Sequence, residues 1–439
     1  MNRFFIVLNI VLDFFWLLIV FYISLFIREN IDFSVLPEFS KISLQNFLFV
    51  IVVSILILFY EKIYTIRYDF WQESLKIIKA LFLSYVIVVL TLALLKININ
   101  YSRSFIAIYF FIAIITLPIF KYMIKRVFFY FFKCCQEKIL LIGNDKEKKL
   151  FQKELTENWY LGQRVVKLDY NKVIIISKGF SNKELDKIIR KYTNMIKDVY
   201  VVPYLYNINF SNSSIFEYFN IRRNLIEVNN RLLIKHNILI KNYFDVIIVV
   251  LILPLFFIIH CFIFFAIKLE DGGEVFFKQK RLGKDGKVFF IYKYRTMVTK
   301  KADIILKEYL DRHPEEIEYY NKYHKYKNDP RITKVGNFLR KTSLDELPQI
   351  INVLLGNMSL VGPRPYMLTE KDLLGRHKSI ILKVKPGITG LWQVSGRNEL
   401  TFKQRIELET WYITNWTLWI DFVILIKTIK VVIYKIGAK

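Results

Sequence analysis

A chain of 439 residues has room for two or three domains; here 64 Lys+Arg against 38 Asp+Glu give a formal net charge of +26, and 54% of the residues are hydrophobic. So apolar a composition excludes an ordinary soluble protein, and so positive a field selects nucleic acid, anionic lipid or an anionic substrate. Membrane segments favour the last two, and no nucleic-acid partner is expected. Of three cysteines, Cys134 and Cys135 are adjacent and Cys261 lies in an apolar run, so neither a disulfide framework nor a zinc spacing can be drawn.

Four apolar segments open the chain, near Phe4 to Ile27, Phe47 to Phe59, Ile77 to Leu95 and Phe105 to Ile124. Each reaches or approaches the length that crosses about 30 Å of hydrocarbon as helix, the second being the shortest. No small-residue cleavage site follows the first, which reads as a retained anchor. Lys62, Arg67, Lys76 and Lys79 lie between the second and third segments, and Lys121, Lys125, Arg126, Lys133 and Lys138 follow the fourth, whereas the loops with Arg28 and Lys41, or Lys96 and Arg103, are poorer. The positive-inside bias then puts both ends of this unit in the cytoplasm. Asp13, inside the first span, is either a functional group or a polar contact between helices.

From Glu137 to Val202 strands and helices alternate: strands at Lys138 to Ile142, Val173 to Ser177 and Asp198 to Val202, helices at Lys146 to Asn158 and Asn182 to Thr193. Such alternation predicts a small parallel-sheet unit. Gly143 stands where a dinucleotide-binding turn would start, but the further glycines that admit a pyrophosphate are missing. Tyr204 to Asn242, rich in Asn, reads as a connector.

Tyr243 to Leu269 is long enough to cross a bilayer. Crossing would export a Lys/Arg-rich remainder against the positive-inside bias. Pro254, near the middle, removes a backbone donor and bends a helix, so the segment can enter one leaflet and return. Lys278, Lys280, Arg281, Lys293 and Arg295, with Gly283 and Gly286, then form a basic strand-turn-strand, and Lys300 to Lys327 reads as a surface helix or two.

In the run from Ser343 to Gln349, Ser343 is a candidate N-cap, Asp345 and Glu346 occupy a first turn, and Leu347 to Leu355 continue the helix with Pro348 near its start. Such a terminus points amide donors at an anion. Arg331, Lys334, Arg340, Lys341 and Arg364 surround the pair in sequence and can neutralise a pyrophosphate, and Mg²⁺ can bridge the charge that remains. The bland alternative is a solvated acidic pair favoured by the helix dipole. Gly362-Pro363-Arg364-Pro365 and Pro386 to Gly390 read as tight turns, the second followed by Gln393 and Arg397. Trp411, Trp416 and Trp419 precede Phe422 to Ile426, a run too short to span, which predicts an interfacial amphipathic helix.

Four blocks keep one order over the last two hundred residues or so: the apolar segment Tyr243 to Leu269, KQKRLGKDGKVFFIYKYRTM from Lys278, DPRITKVGNFLRKTSLDELPQIINVLLGNMSLVGPRP from Asp329, and KPGITGLWQVSGRN from Lys385. Together they resemble the bacterial sugar transferases, also called monotopic phosphoglycosyl transferases or polyprenyl-phosphate hexose-1-phosphate transferases. The resemblance implies a membrane α plus α/β fold: a four-helix transmembrane bundle (1–130), a degenerate Rossmann-like α/β domain (137–203), a connector (204–240), a broken re-entrant helix (241–269) and a cytosolic catalytic domain (270–439). The family's usual polar residue before the proline is Leu253 here. The implied reaction, at the bacterial inner membrane, moves a hexose 1-phosphate from a UDP-sugar to undecaprenyl phosphate and starts a surface polysaccharide, O-antigen or capsule. Galactose is the first choice of sugar and glucose the second. By the same resemblance Asp345 is the nucleophile and Glu346 its partner as Mg²⁺ ligand or base. Arg281, Arg295, Arg340 and Arg364 are the expected phosphate contacts, and Pro363, Thr389, Gly390, Gln393 and Arg397 the expected nucleotide contacts. Pairing of two copies is left open, as is the alternative of an inactive membrane scaffold that regulates assembly.

Overall fold

The apolar segments that open the chain all become helices in the computed structural model, which describes residues 3–30, 43–94, 103–133, 135–196, 198–203, 215–218, 223–226, 231–298, 302–318, 326, 328–396 and 400–433. They are α1 (Arg3–Asn30), α2 (Leu44–Tyr60), α3 (Phe70–Leu94) and α4 (Arg103–Lys125), the last continuing as a π-helical turn. The four pack around Leu17, Phe47, Ile77 and Tyr109. α1, α3 and α4 are long and apolar enough to cross a membrane; α2, with 17 residues, is shorter. Asp13 turns out to be a polar contact: it accepts from Tyr64 Oη at 2.8 Å and pairs with Lys121 at 2.8 Å, while Glu73 pairs with Lys125. Buried Asp13, Glu73, Lys121 and Lys125 thus form two ion pairs, without which their desolvation would be severe.

The parallel sheet follows the expected alternation. β1 (Glu137–Ile142), β2 (Gln163–Val165), β3 (Lys172–Ile176) and β4 (Val199–Val202) lie in the order β2-β1-β3-β4, with α5 (Asp145–Glu157) and α6 (Asn182–Thr193) between them in sequence. β2 escapes the sequence reading because three partly exposed residues carry no alternation to detect. After Gly143, Asn144 caps α5 by accepting from Lys146 N. Arg67, behind α2, donates to Cys135 O at 2.7 Å and to Leu161 O at 3.3 Å, which ties the bundle to this sheet. Bundle and sheet form one compact unit, Met1–Tyr206, and Asn207–Lys439 forms a second.

In the second unit the expected connector carries an antiparallel hairpin, β5 (Ile215–Tyr218) with β6 (Arg223–Ile226). The following helix starts earlier than expected, at Lys235, because Asn237 Nδ2 anchors its polar first turn on Arg231 O at 2.8 Å. This helix, α7 (Lys235–Asp271), is long and apolar enough to cross a membrane and contains Pro254 within it. A proline costs one interior hydrogen bond and imposes a bend, and the helix resumes beyond it. β7 (Phe276–Leu282) pairs antiparallel with β8 (Val288–Tyr294) as expected. α8 (Ala302–Arg312), α9 (Lys334–Thr342) and α10 (Gln349–Leu354) follow.

The two expected turns are instead the ends of paired strands. β9 (Ser359–Val361) and β10 (Gly387–Thr389) run parallel, and a Cβ on Gly387 would lie 2.1 Å from Gly362 N. The tail forms two helices, α11 (Phe402–Asn415) and α12 (Leu418–Ile433), which bury Tyr412, Ile413 and Ile424 in the core while α12 leaves Leu418, Phe422, Ile426 and Ile429 exposed. Asp421 on α12 is fully buried and accepts from Lys241 at 2.6 Å, Tyr412 Oη at 2.6 Å and Trp416 Nε1 at 3.0 Å. A polar knot of this kind demands a fixed position in the core, because leaving Lys241 unpaired there would be strongly destabilising.

Candidate active site

The site is assembled where β8, α9 and α10 converge. Asn352, fully buried on α10, donates to Phe290 O at 2.7 Å and accepts from Tyr292 N at 3.0 Å, pinning α10 to the edge of β8. α9 is capped by Thr333, whose Oγ1 accepts from Gly336 N at 2.9 Å. Thr333 N in turn donates to Thr296 O at 3.1 Å just beyond β8. Ser343 is not an N-cap: at φ 56° and ψ 18° it is the left-handed C-cap of α9, and Leu344–Glu346 form a 3₁₀ turn between two helices. Asp345 and Glu346 therefore sit on a reversal of the chain, because Ser343 leaves the helical region before them and Pro348 cannot continue an amide ladder.

Both carboxylates line a cleft of about 630 Å³ whose other polar walls include Lys293, Arg331 and Arg340. Lys293 Nζ lies 2.6 Å from Glu346 Oε1. Burial, and next the charge of Glu346, push the Asp345 carboxyl up to about 6, against the opposing pull of Lys293 and Arg340. Near pH 7 it is thus mainly ionised yet poorly solvated, a state that favours attack by a carboxylate. Arg340 donates from Nε to Thr296 Oγ1 at 2.9 Å. Its terminal nitrogens have no partner among the described residues and can take a phosphate. Arg331 instead forks onto Asp329, at 2.8 and 2.7 Å.

The expected phosphate contacts divide. Arg295 borders the cleft, but its Nη1 and Nη2 grip the Asp271 carboxylate and its Nε donates to Glu274 O. Its fork fastens the end of α7 to the hairpin and is engaged by Asp271 rather than turned to the cleft. Arg281 is buried and holds Gln279 Oε1 at 2.6 Å and Pro365 O at 3.3 Å, beside the partly exposed Arg364. Arg281 and Arg364 are thus neighbours, away from the lining of the dyad cleft.

The expected nucleotide contacts fare differently. Thr389 is buried with its hydroxyl 2.7 Å from Thr428 Oγ1 on α12, so it braces two elements. Gly390 permits close packing, since a Cβ there would lie 2.4 Å from Gly362 O, and Pro363 O accepts from Gly387 N at 2.8 Å. Gln393 Nε2 donates to Ile388 O at 3.5 Å. Arg397 lies outside the described residues. Sequence reasoning missed the positioning residues Gly336, Thr296 and Asn352, and did not place Lys293 at the dyad. Strand alternation puts Phe289, Ile291 and Lys293 on one face of β8, and a lone Lys on that otherwise apolar face is a signal that could have found it.

The comparisons cover this same unit. A family model described as bacterial sugar transferase matches residues 236–435. A sugar transferase of Haemophilus influenzae is 41% identical over 246 residues, 56% of this chain and 52% of that protein. The undecaprenyl-phosphate galactose phosphotransferase of Salmonella typhimurium is 41% identical over 242 residues, 55% of this chain and 50% of that protein. The chain thus spans about half the length of these two curated relatives. It is also 42% identical over 198 residues to the exopolysaccharide production protein ExoY of Rhizobium meliloti, covering 45% of this chain and 87% of that protein. At 42% identity the chain covers most of that shorter relative, the family model spans the residues that include Asp345 and Glu346, and the chain belongs to the bacterial sugar transferase family.

Proposed function

We propose that the chain transfers a hexose 1-phosphate, galactose ahead of glucose, from a UDP-sugar to undecaprenyl phosphate, releasing UMP and starting a surface glycan. The observation that carries this reading is the Asp345–Glu346 pair in a cleft with cationic walls, inside the segment matched to the family. The choice of galactose rests on the name of the Salmonella relative.

In the first step a carboxylate oxygen of Asp345 attacks the sugar-bearing phosphorus. The bond from that phosphorus to the bridging oxygen breaks, and UMP leaves with the electron pair. A phosphate oxygen of the lipid then attacks the same phosphorus and restores the Asp345 carboxylate. That phosphate is already largely ionised near neutrality, so no strong base is required. Lys293 holds Glu346 in place, and Arg340 presents its fork to the diphosphate.

The donor set suits Mg²⁺, which takes one or two carboxylates together with substrate phosphates; no larger group of ligating side chains exists among the described residues. Asp345 and Glu346 would hold it, and bound there its charge would offset that of the leaving UMP. Membranes bearing the protein and undecaprenyl phosphate, offered labelled UDP-galactose, UDP-glucose or UDP-N-acetylglucosamine in turn, should move label into lipid fastest from UDP-galactose. Lipid labelling from none of them would sink the reading.

α7 is read as re-entrant, with the second unit cytoplasmic. In support, both of its ends meet the same domain: Lys241 and Asn242 reach Asp421 and Lys385, while Asp271 reaches Arg295 and Glu270 accepts from Val335 N. A straight helix would separate Lys241 from Asp271 by about 45 Å, more than the roughly 30 Å of hydrocarbon. Exposed Tyr243, Ile247 and Leu251 before Pro254, with Phe257 and Phe262 after it, offer an apolar face to lipid. Single cysteines at Lys235 and Asp303, in a background lacking the native three, should respond alike to an impermeant reagent in intact cells. Labelling of one with protection of the other would show a true crossing.

A further inference from the structure

We infer that Arg281, Arg364 and Arg405 form a phosphate-binding site, with Trp392 packed against the last two and with Arg405 on α11 a ligand-binding residue that no motif block contains. The guanidinium carbon of Arg405 lies 4.2 Å from the Trp392 ring centroid and that of Arg364 lies 6.0 Å from it. Arg281 Nη1 donates to Pro365 O, next in sequence to Arg364. Burial first, and then the charge of Arg364, lower the proton affinity of both Arg281 and Arg405, so three like charges feel one another. The charges of Glu370 and, less strongly, Glu346 also reach Arg281.

Two carboxylates besides Glu346 act on the cluster and both are committed: Glu370, whose charge reaches Arg281 and Arg405, accepts from Met367 N at 2.7 Å. Glu409, 1% exposed, accepts from Arg364 N at 2.8 Å and from the Tyr366 hydroxyl, and burial raises its carboxyl to about 7. Meanwhile Arg281 Nε, Arg405 Nε and Trp392 Nε1 are buried without a hydrogen-bond partner among the described residues. Native proteins pair the great majority of buried donors, so three orphans in one cationic cluster point to an absent acceptor that carries several oxygens. A phosphate group meets that description, and forked guanidinium groups match its paired oxygens. Arg364 and Arg405 are each partly exposed, which gives an anion access. This inference rests on the reaction proposed above for its two sources of phosphate, the nucleotide and the polyprenyl acceptor.

The test is calorimetric binding to the full-length protein in detergent, with pyrophosphate, UMP and farnesyl phosphate as separate probes. Wild type is expected to bind pyrophosphate, and Arg405→Gln to bind it about tenfold to a hundredfold more weakly, the range of one charge-assisted hydrogen bond. The same variant should melt at or above the wild-type temperature, because a repelled charge has been removed. Arg405→Lys keeps the charge without the planar fork and should fall between. A loss shared by UMP assigns the site to the nucleotide, and one shared by farnesyl phosphate assigns it to the acceptor. Arg405-dependent pyrophosphate binding with neither of the other probes bound supports the site and overturns the substrate reading instead. Failure of wild type to bind pyrophosphate, or equal affinity in wild type and Arg405→Gln, overturns the site and leaves Arg405 as packing on Trp392.

Discussion

Asp345→Asn should abolish both turnover and the covalent intermediate. Donor alone, given to the wild type, should leave sugar phosphate on the protein and release about one UMP per active site before lipid is added, the burst of a ping-pong mechanism. The neutral amide is a poor nucleophile, and its turnover should fall on the order of 10⁴-fold or more, the scale of nucleophile deletions. Glu346→Gln keeps the attacking group and should slow the reaction on the order of a hundredfold. Because the Asp345 carboxyl is raised to about 6, the rate of adduct formation should fall as pH drops through that value, the nucleophile being lost by protonation. Removing the Glu346 charge should move this acid limb to lower pH, since that charge helps to raise the carboxyl. Hydroxylamine should cleave the adduct. Full wild-type turnover with no burst, no trapped adduct and ternary-complex kinetics would eliminate the covalent route and leave the pair as a metal site.

Gly336→Ala should disable the same chemistry without touching it. A Cβ at Gly336 would lie 2.1 Å from Thr296 O, so α9 must back away from the end of β8. That helix carries Arg340, whose Nε is set by Thr296 Oγ1, and leads through Ser343 into the dyad. A displacement on the order of 1 Å at a reacting group costs about a hundredfold in rate, and overpacking of this kind costs about 1 to 3 kcal/mol of stability. UMP release by the purified variant, read beside its melting curve, checks this. A wild-type rate would show that α9 does not set the position of Asp345.

Features that obey a short local rule are legible in the sequence. α1 to α4 appear as apolar runs, the parallel sheet as alternating strands and helices, and β7 with β8 as a basic hairpin around Gly283 and Gly286. Asp345 and Glu346 stand out by their charge against a basic background. The backbone around them does not, because a left-handed Ser343 is indistinguishable in sequence from an N-capping one. Thr389 shows the same limit: its hydroxyl finds Thr428 on another helix, a partner with no local signature.

The order of amino acids by itself determined where the chain meets lipid, where it forms a parallel sheet and which acidic pair stands among cations, since hydropathy, periodicity and charge act over a few residues. Tertiary structure alone decided which cations remain free for a ligand. Arg295 and Arg340 look alike in sequence, but Asp271 at the end of α7 reaches the first and engages its fork, while among the described residues the second donates only from Nε, to Thr296. A guanidinium binds whichever anion lies within hydrogen-bond range, and that neighbour is supplied by the folding of distant segments onto one another.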